Sequence, residues 1–255
     1  MSKHLNTVLN AAVSVADRLL GPRLEGVIRR LVLARVIRLE PREALCFLFG
    51  LDAFLYDLEG MQAVEYGGGV HPKHRHTRYH DFFVARVQPG WKVLDVGCGN
   101  GALAKDMAER AGAQVTGVDL CPQNIATAKA RFSHPNVSYI QGDALTDLPR
   151  ERFDAVILSN VLEHLQRRVE FLRNLVETTG AQAVLIRAPR FDREWRVPLK
   201  KELGVEWRLD ATHETEYTWE QLEQEIVASG LRVVHSESCW GEFWVSAAPQ
   251  TAAVR

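Results

Sequence analysis

The chain of 255 residues has only four cysteines, Cys46, Cys98, Cys121 and Cys239. No two form a CxxC pair and none sits at zinc-finger spacing, which excludes a disulfide scaffold and a structural zinc framework. An excess of one charge is also missing. Against 31 Lys and Arg stand 32 Asp and Glu, a formal net charge of -1. That balance argues against a nucleic-acid partner held by a global basic field, although it leaves room for a local groove. No stretch reaches the roughly 18–20 continuous apolar residues of a spanning helix. Residues 1–20 carry a lone early Lys and a polar-interrupted apolar run, unlike a secretory signal. Repeats and low-complexity tracts are absent as well. Together these absences predict a cytoplasmic location. What remains is an ordinary globular composition, 46% hydrophobic and 25% charged, long enough for one good core.

Two regions are legible. Residues 1–70 are expected to form an N-terminal helical cap. Leu5 to Leu20 has apolar residues near helical period, Gly21-Pro22 breaks it, Leu24 to Leu39 resumes it, and Pro41 opens a further apolar run through Leu58. Residues 1–40 hold seven Lys/Arg and three Asp/Glu, a net +4 against -5 for the rest. A peripheral membrane contact through these helices is one expectation, and a packing cap with solvent-facing arginines is the other. Gly67-Gly68-Gly69 marks a joint.

Residues 71–255 then alternate strand and helix. Strands are predicted at 92–96, 114–119, 137–141, 153–159, 183–188, 231–238 and 243–247. Helices are predicted at 101–111, 122–132, 165–178 and 219–229. Such alternation with short loops means a mostly parallel α/β sheet covered on both faces, with ligands beyond the carboxyl ends of the strands.

The motifs fall at those ends. Val93-Leu-Asp-Val-Gly-Cys-Gly-Asn-Gly101 runs from a strand through a glycine loop into a helix. Glycines at 97, 99 and 101 let a backbone turn sharply and approach a ligand, a pattern that also satisfies the relaxed dinucleotide fingerprint. Asp95 separates the two readings: a carboxylate there accepts from an ammonium and repels a pyrophosphate. This favours an amino-acid-bearing nucleoside over NAD. Asp119 ends the second strand, 22 residues after Gly97, where an acid binds ribose hydroxyls or caps the following helix. Asp143, in Gly142-Asp143-Ala144, can accept from an adenine amino group or simply make a turn. Phe153-Asp-Ala-Val-Ile-Leu-Ser-Asn-Val-Leu-Glu-His-Leu165 begins as a buried strand and ends in polar residues over the crevice.

VLDVGCGNG, VTGVD, GDA and FDAVILSNVLEHL, in this order and spacing, resemble the class I S-adenosylmethionine-dependent methyltransferases, most of all the branch of ubiquinone and menaquinone biosynthesis. The likeness covers roughly residues 75–250. It implies a Rossmann-like seven-stranded sheet with an antiparallel last strand, and S-adenosyl-L-methionine as cofactor. Carried over, Asp95, Gly97 and Gly99 face the methionine part, Asp119 takes the ribose, Asp143 and Ala144 the adenine, and Asn160 lies beside the sulfonium, with Cys98 and Leu120 also expected to bind the cofactor. Tyr79, with Arg75 or Arg78, is a candidate contact to the cofactor carboxylate. The alternative for His71–His80 is a polar surface segment, extended because of Pro72.

Methyl transfer to a hydroxyl asks for alignment and for removal of a proton. His164 and His213 are the candidate bases. For His164 the alternative is a helix-start residue bonding backbone, and for His213 a surface histidine. Glu163, His164 and a later His before Glu216-Tyr-Thr218 resemble magnesium-assisted small-RNA 2′-O-methyltransferases. Some quinone O-methyltransferases carry Glu-x-x-Glu-His. Here Asn160 replaces the first Glu, so no metal is expected. Phe191, Trp195, Trp207 and Tyr217 could wall an acceptor pocket or plug a long loop. The function expected is methyl transfer to a small-molecule acceptor, a metabolite or saccharide hydroxyl. The alternatives are an RNA ribose methyltransferase, a non-catalytic cofactor-binding partner protein and, more distantly, an NAD oxidoreductase.

Overall fold

Five short runs rich in Val, Ile and Leu become the parallel strands of one sheet. They are β1 (Lys92–Val96), β2 (Gln114–Asp119), β3 (Val137–Gln141), β4 (Ala155–Ser159) and β5 (Ala183–Pro189). The computed structural model describes residues 21–250. A hairpin of β6 (Leu231–Cys239) and β7 (Glu242–Pro249) completes a seven-stranded sheet in the order β3-β2-β1-β4-β5-β7-β6. Strand β7 runs antiparallel to both β5 and β6. The chain winds outward from β1 to β3 and then returns to place β4 on the other side of β1, which makes the β1/β4 edge the switch point where such sheets bind ligands.

Period-two alternation sends neighbouring strand residues to opposite layers. Leu94, Val96, Val156 and Leu158 join one core with Leu172, Ile186 and Leu222. Val93, Ala155, Ile157 and Leu185 join the other with Phe83, Met107 and Tyr79. By the same alternation Asp95 and Arg187 lie on the Tyr79 side of the sheet. This geometry later decides what surrounds the glycine loop.

Two compact units are present. The first runs to Glu59 and takes in Glu202–Val205, and the second comprises Gly60–Lys201 and the residues from Glu206 onward. The division falls inside a helix, ahead of the glycine triplet that marks the joint in the sequence. In the first unit, helix α1 (Leu24–Val36) buries no residue, and Ile28, Leu31 and Leu33 are exposed. Helix α2 (Pro41–Tyr66) carries the predicted apolar run on past Leu58, burying Ala44 and Phe49. The predicted helix Leu5–Leu20 lies outside the described residues.

In the second unit the segment after Pro72 is not extended. Pro72 ends at φ -56, ψ -20, which is helical backbone, so it starts a helix instead of preventing one. Helix α3 (Lys73–Thr77) and helix α4 (Tyr79–Val84) follow, joined by Arg78 in the left-handed region. Helices α5 (Ala102–Ala111), α6 (Pro122–Arg131), α7 (Arg168–Thr179), α8 (Arg196–Leu203) and α9 (Trp219–Ala228) complete the order. The helix expected from Leu165 begins three residues later. Leu162–His164 forms a separate 3-10 turn, and Leu165 is extended at ψ 141. Residues 189–217, expected as a long loop, contain α8.

Candidate active site

The glycine loop leaves β1 and enters α5, and its three glycines have three different reasons. All have positive φ, at 67°, 56° and 86° for Gly97, Gly99 and Gly101. A Cβ on Gly97 would meet Val161 at 2.8 Å, and one on Gly101 would meet the Tyr139 hydroxyl at 2.6 Å. Those two are packing glycines. A Cβ on Gly99 would meet nothing within 4 Å, so only this position faces open space where a ligand could approach.

Asp119 ties the loop to the next helix. Its Oδ2 accepts from the Gly99 N–H at 2.8 Å, and its Oδ1 accepts from the Cys121 N–H at 2.9 Å and the Asn124 amide at 3.1 Å. The turn-forming role is therefore present, and the half-buried carboxylate still lies at the strand end. The next residue, Leu120, is 68% exposed. An apolar side chain held in the open beside that acid suits the face of a nucleoside. Asp143 Oδ1 accepts from the Leu145 N–H at 2.8 Å, with Ala144 half-buried beside it.

Two groups in the crevice are buried and unpaired. Asp95 is 1% exposed and its Oδ2 has no partner. Burial, with repulsion from Asp119, pushes its pKa up to about 7. A ligand ammonium would satisfy both observations. Asn160, strained at φ 58, donates its backbone N–H to Arg187 O at 2.8 Å and leaves its own buried Oδ1 unpaired. Cys98 differs from expectation in one respect. Its side chain turns into the Tyr79-side core, against Gly117, so it can offer a ligand only its backbone.

A second constellation sits beyond β4. Glu163, His164 and His213 bring one ligand atom each within 4.8 Å of one another. The segment carrying His213 is held there by backbone bonds, because Glu163 O accepts from the Glu214 and Thr215 N–H groups at 2.7 and 3.3 Å. The His164 and His213 rings meet edge to face, with centroids 4.7 Å apart. Each ring has its Nδ1 engaged. That of His164 pairs with Thr212 Oγ1 at 3.0 Å, a hydroxyl that donates to Asp210, and that of His213 pairs with Glu216 Oε1 at 3.2 Å. Glu216 is in turn paired with Arg193. Glu163 is fully buried with neither carboxylate oxygen bonded, and burial pushes its pKa up to about 8. Burial, then the neighbouring His213, lowers that of His164. A cleft of about 670 Å³ joins Ala144 to His164, Leu165 and Glu214.

Residues 94–185 match the family described as methyltransferase domain. Among similar curated proteins is the ubiquinone biosynthesis O-methyltransferase of Rhodopseudomonas palustris, 35% identical over 155 residues, covering 56% of this chain and 59% of that protein. The chain thus spans about three-fifths of that relative's length. Among solved structures, a Haloferax volcanii methyltransferase in complex with the Trm112 activator superposes with TM-score 0.60 at 15% identity, over 77% of this chain and 98% of that one. The magnesium protoporphyrin IX methyltransferase of Synechocystis PCC 6803 with bound S-adenosylhomocysteine gives TM-score 0.56 at 18% identity, over 69% and 84%.

Residues 94–185 belong to the methyltransferase domain family, and the sheet around them shares the fold of solved methyltransferases.

The methyltransferase cofactor fits the donors present. Asp95 offers an unpaired buried carboxylate, Gly99 open space, and Asp119 and Asp143 acids at successive strand ends. Of the sequence candidates, the structure gathers Asp95, Gly97, Gly99, Asp119, Leu120, Asp143, Ala144 and Asn160 at the carboxyl ends of β1 to β4. The His164 side chain is held by Thr212, and His213 is buried, not a surface residue. Tyr217 is fully buried with its hydroxyl on Glu225, so it plugs the core and walls no pocket. Trp195 is 71% exposed, while Phe191 and Trp207 pack on each other edge to face.

Sequence reasoning missed Thr212 and Arg187 and gave Glu216 no role of its own. Arg187 donates twice to Glu242, at 2.6 and 2.5 Å, and once to Ser159 at 3.3 Å. A lone arginine at the carboxyl end of the apolar strand Ala-Val-Leu-Ile-Arg-Ala-Pro189 was the available signal, since such a charge is buried only if paired.

Proposed function

We propose that the protein moves the methyl group of S-adenosylmethionine to a hydroxyl oxygen of a small-molecule acceptor, with Glu163, His164 and His213 at the acceptor end. The Glu163 carboxylate carries this reading: it is buried, unbonded and set beside two histidines whose Nδ1 atoms are already committed. Burying such a group costs several kcal/mol unless it is protonated or meets a cation. The two imidazoles and one carboxylate fit a divalent transition ion such as Mn²⁺ or Zn²⁺ better than Mg²⁺, which prefers oxygen donors. Engaged Nδ1 atoms are also how metal-binding histidines are oriented. The expectation of no metal rested on Asn160. That residue weakens the case for Mg²⁺ and leaves the case for a softer ion standing. When bound, such an ion would lower the pKa of an acceptor hydroxyl. The methylated atom is supported by the Rhodopseudomonas relative, an O-methyltransferase.

The chain's own residues supply orientation. Asp95 would hold the ammonium, Asp119 the ribose hydroxyls and Asp143 the adenine amino group, which sets the methyl–sulfur bond relative to the cluster. S-adenosylmethionine supplies the sulfonium-activated methyl. Alignment of this kind lowers barriers by roughly 7–11 kcal/mol in favourable cases, so a modest proton acceptor suffices.

The test is turnover of chelator-treated protein against a dihydroxyarene and against short RNA, with Mn²⁺, Zn²⁺ or Mg²⁺ returned. Recovery by Mn²⁺ or Zn²⁺ on the dihydroxyarene is expected. Full turnover after chelation would leave the histidines as proton acceptors alone, and preference for RNA would move the acceptor to a ribose.

A further inference from the structure

The histidine-dense segment from His71 to His80 takes no part in the Glu163 cluster, yet it builds a hydrogen-bonded chain of its own. Asp106 Oδ2, on α5, lies 2.8 Å from His80 Nδ1. His80 Nε2 lies 3.1 Å from His74 Nδ1, and that same nitrogen is 3.1 Å from the Tyr79 hydroxyl. Tyr79 and His80 are 6% and 9% exposed. The Tyr79 ring is fixed from its other side by the Arg187 guanidinium, 3.9 Å above the ring centroid. Glu242 clamps that guanidinium in turn.

Proton positions follow from one end of the chain. A carboxylate can only accept, so a neutral His80 ring carries its hydrogen on Nδ1 and presents a bare Nε2. The Nδ1 of His74 must then donate. Burial, followed by His80 and Lys73, lowers the His74 pKa to about 4, so the ring is neutral and has a single N–H to give. The Tyr79 oxygen beside that N–H is an acceptor. Its own O–H has no partner among the described residues.

That hydroxyl belongs to the sheet face that carries Asp95, whose charge Tyr79 feels. Beside it a cleft of about 520 Å³, lined by His74, His80, Ala102 and Lys105, reaches the first turn of α5 where the glycine loop ends. In the bound amino acid the ammonium and the carboxylate share one carbon. An ammonium on Asp95 therefore brings the carboxylate to the same neighbourhood.

We infer that Asp106, His80 and His74 are positioning residues that free the Tyr79 hydroxyl to donate to the carboxylate of the cofactor's methionine part. The inference rests on the S-adenosylmethionine reading of the glycine loop. It makes three residues outside every cofactor motif determinants of cofactor affinity, acting through a fourth.

The test compares S-adenosylhomocysteine with its decarboxylated analogue, which keeps the amine, by calorimetry on the full chain. Tyr79→Phe should weaken S-adenosylhomocysteine about tenfold, the loss of one hydrogen bond to a charged group, and leave the analogue unchanged. His74→Ala and Asp106→Ala should show the same selective loss at about three- to tenfold. The double variant His74→Ala/Tyr79→Phe should bind no worse than Tyr79→Phe alone, because the relay acts only through that hydroxyl. If Asp106→Ala does not fold, His74→Ala, at the half-buried end, decides the matter. Equal losses for both ligands, additive losses in the double variant, or no loss at all would each overturn the inference. A parent protein that binds neither ligand would overturn the cofactor reading and this inference with it.

Discussion

At the scale of single residues, Asp95, proposed to hold the cofactor ammonium, would link cofactor binding to pH and to stability. Its folded pKa of about 7 lies above its ordinary 3.8. The folded state therefore keeps a proton that the unfolded state releases. Stability without cofactor is greatest below the lower value and falls as the pH rises from about 4 to 7, by at most about 4 kcal/mol. Asp95→Asn removes that loss, so the variant should melt above the parent at pH 8 in the absence of ligand. A bound ammonium favours the ionised carboxylate. The parent's affinity for S-adenosylhomocysteine should therefore rise with pH up to about 7 and then level off, whereas Asp95→Asn should bind roughly ten- to a hundredfold more weakly with no such rise. Calorimetry at pH 5.5, 7 and 8.5 checks both, and a parallel pH dependence in the two proteins would remove Asp95 from the ammonium site.

The glycines divide in the same manner. Gly101→Ala places a Cβ against the Tyr139 hydroxyl at φ 86, whereas Gly99→Ala meets open space at φ 56. Both incur the roughly 1–2 kcal/mol of left-handed backbone, but only Gly101→Ala adds a clash. Thermal melting should therefore fall further for Gly101→Ala. Cofactor affinity should fall in Gly99→Ala even where its fold is intact. Equal melting temperatures, or unaltered affinity in Gly99→Ala, would contradict this division.

At the scale of elements, the strands were legible because each combines a β-rich run with a turn signal, and β1, β2 and β3 lie where the sequence predicts them. The candidate cofactor residues were legible for the same reason, since they end those strands. The segment between His71 and His80 was not. Its structure depends on burying Tyr79, His80, Phe82 and Phe83 against α5, a tertiary effect that Pro72 and a polar composition conceal. His213 was suggested by its type and by the resemblance of its segment. What fixes it is the pairing of Glu163 O with the Glu214 and Thr215 N–H groups, 51 and 52 residues away, which no local pattern announces. Glu216 then orients His213 from three residues on. Glu216→Gln keeps an acceptor for Nδ1 and removes the charge that pairs with Arg193. Loss of such a supporting partner lowers activity by about ten- to a hundredfold. Turnover should fall in that range with S-adenosylhomocysteine affinity unchanged, because no cofactor donor contacts Glu216. A fall in affinity of the same size would instead mean that the substitution disturbs the cofactor cradle.

At the scale of the whole molecule, charge and burial are distributed unequally between the two units. Residues 21–40 hold five arginines against two glutamates, with Ile28, Leu31, Leu33 and Ile37 exposed among them. No helix among the described residues is long and apolar enough to cross a membrane. Exposed aliphatic side chains interleaved with arginines suit the surface of an anionic bilayer, where each basic residue near the surface contributes about 1 kcal/mol. Both hydrophobic clusters of the sheet domain are built from Tyr79 onward, and every cofactor donor lies beyond that point. The domain therefore carries its own core, and removing residues 1–59 should leave S-adenosylhomocysteine affinity within about threefold of the parent, well under the factor of ten that 1.4 kcal/mol represents. The same truncation should abolish sedimentation with vesicles containing anionic lipid, which the full chain should show at low salt and lose as salt screens the arginines. Binding that is equal on neutral vesicles, or kept by the truncated protein, would remove the helices from the membrane surface. Loss of cofactor affinity on truncation would mean that the sheet domain needs the helical unit to hold its fold.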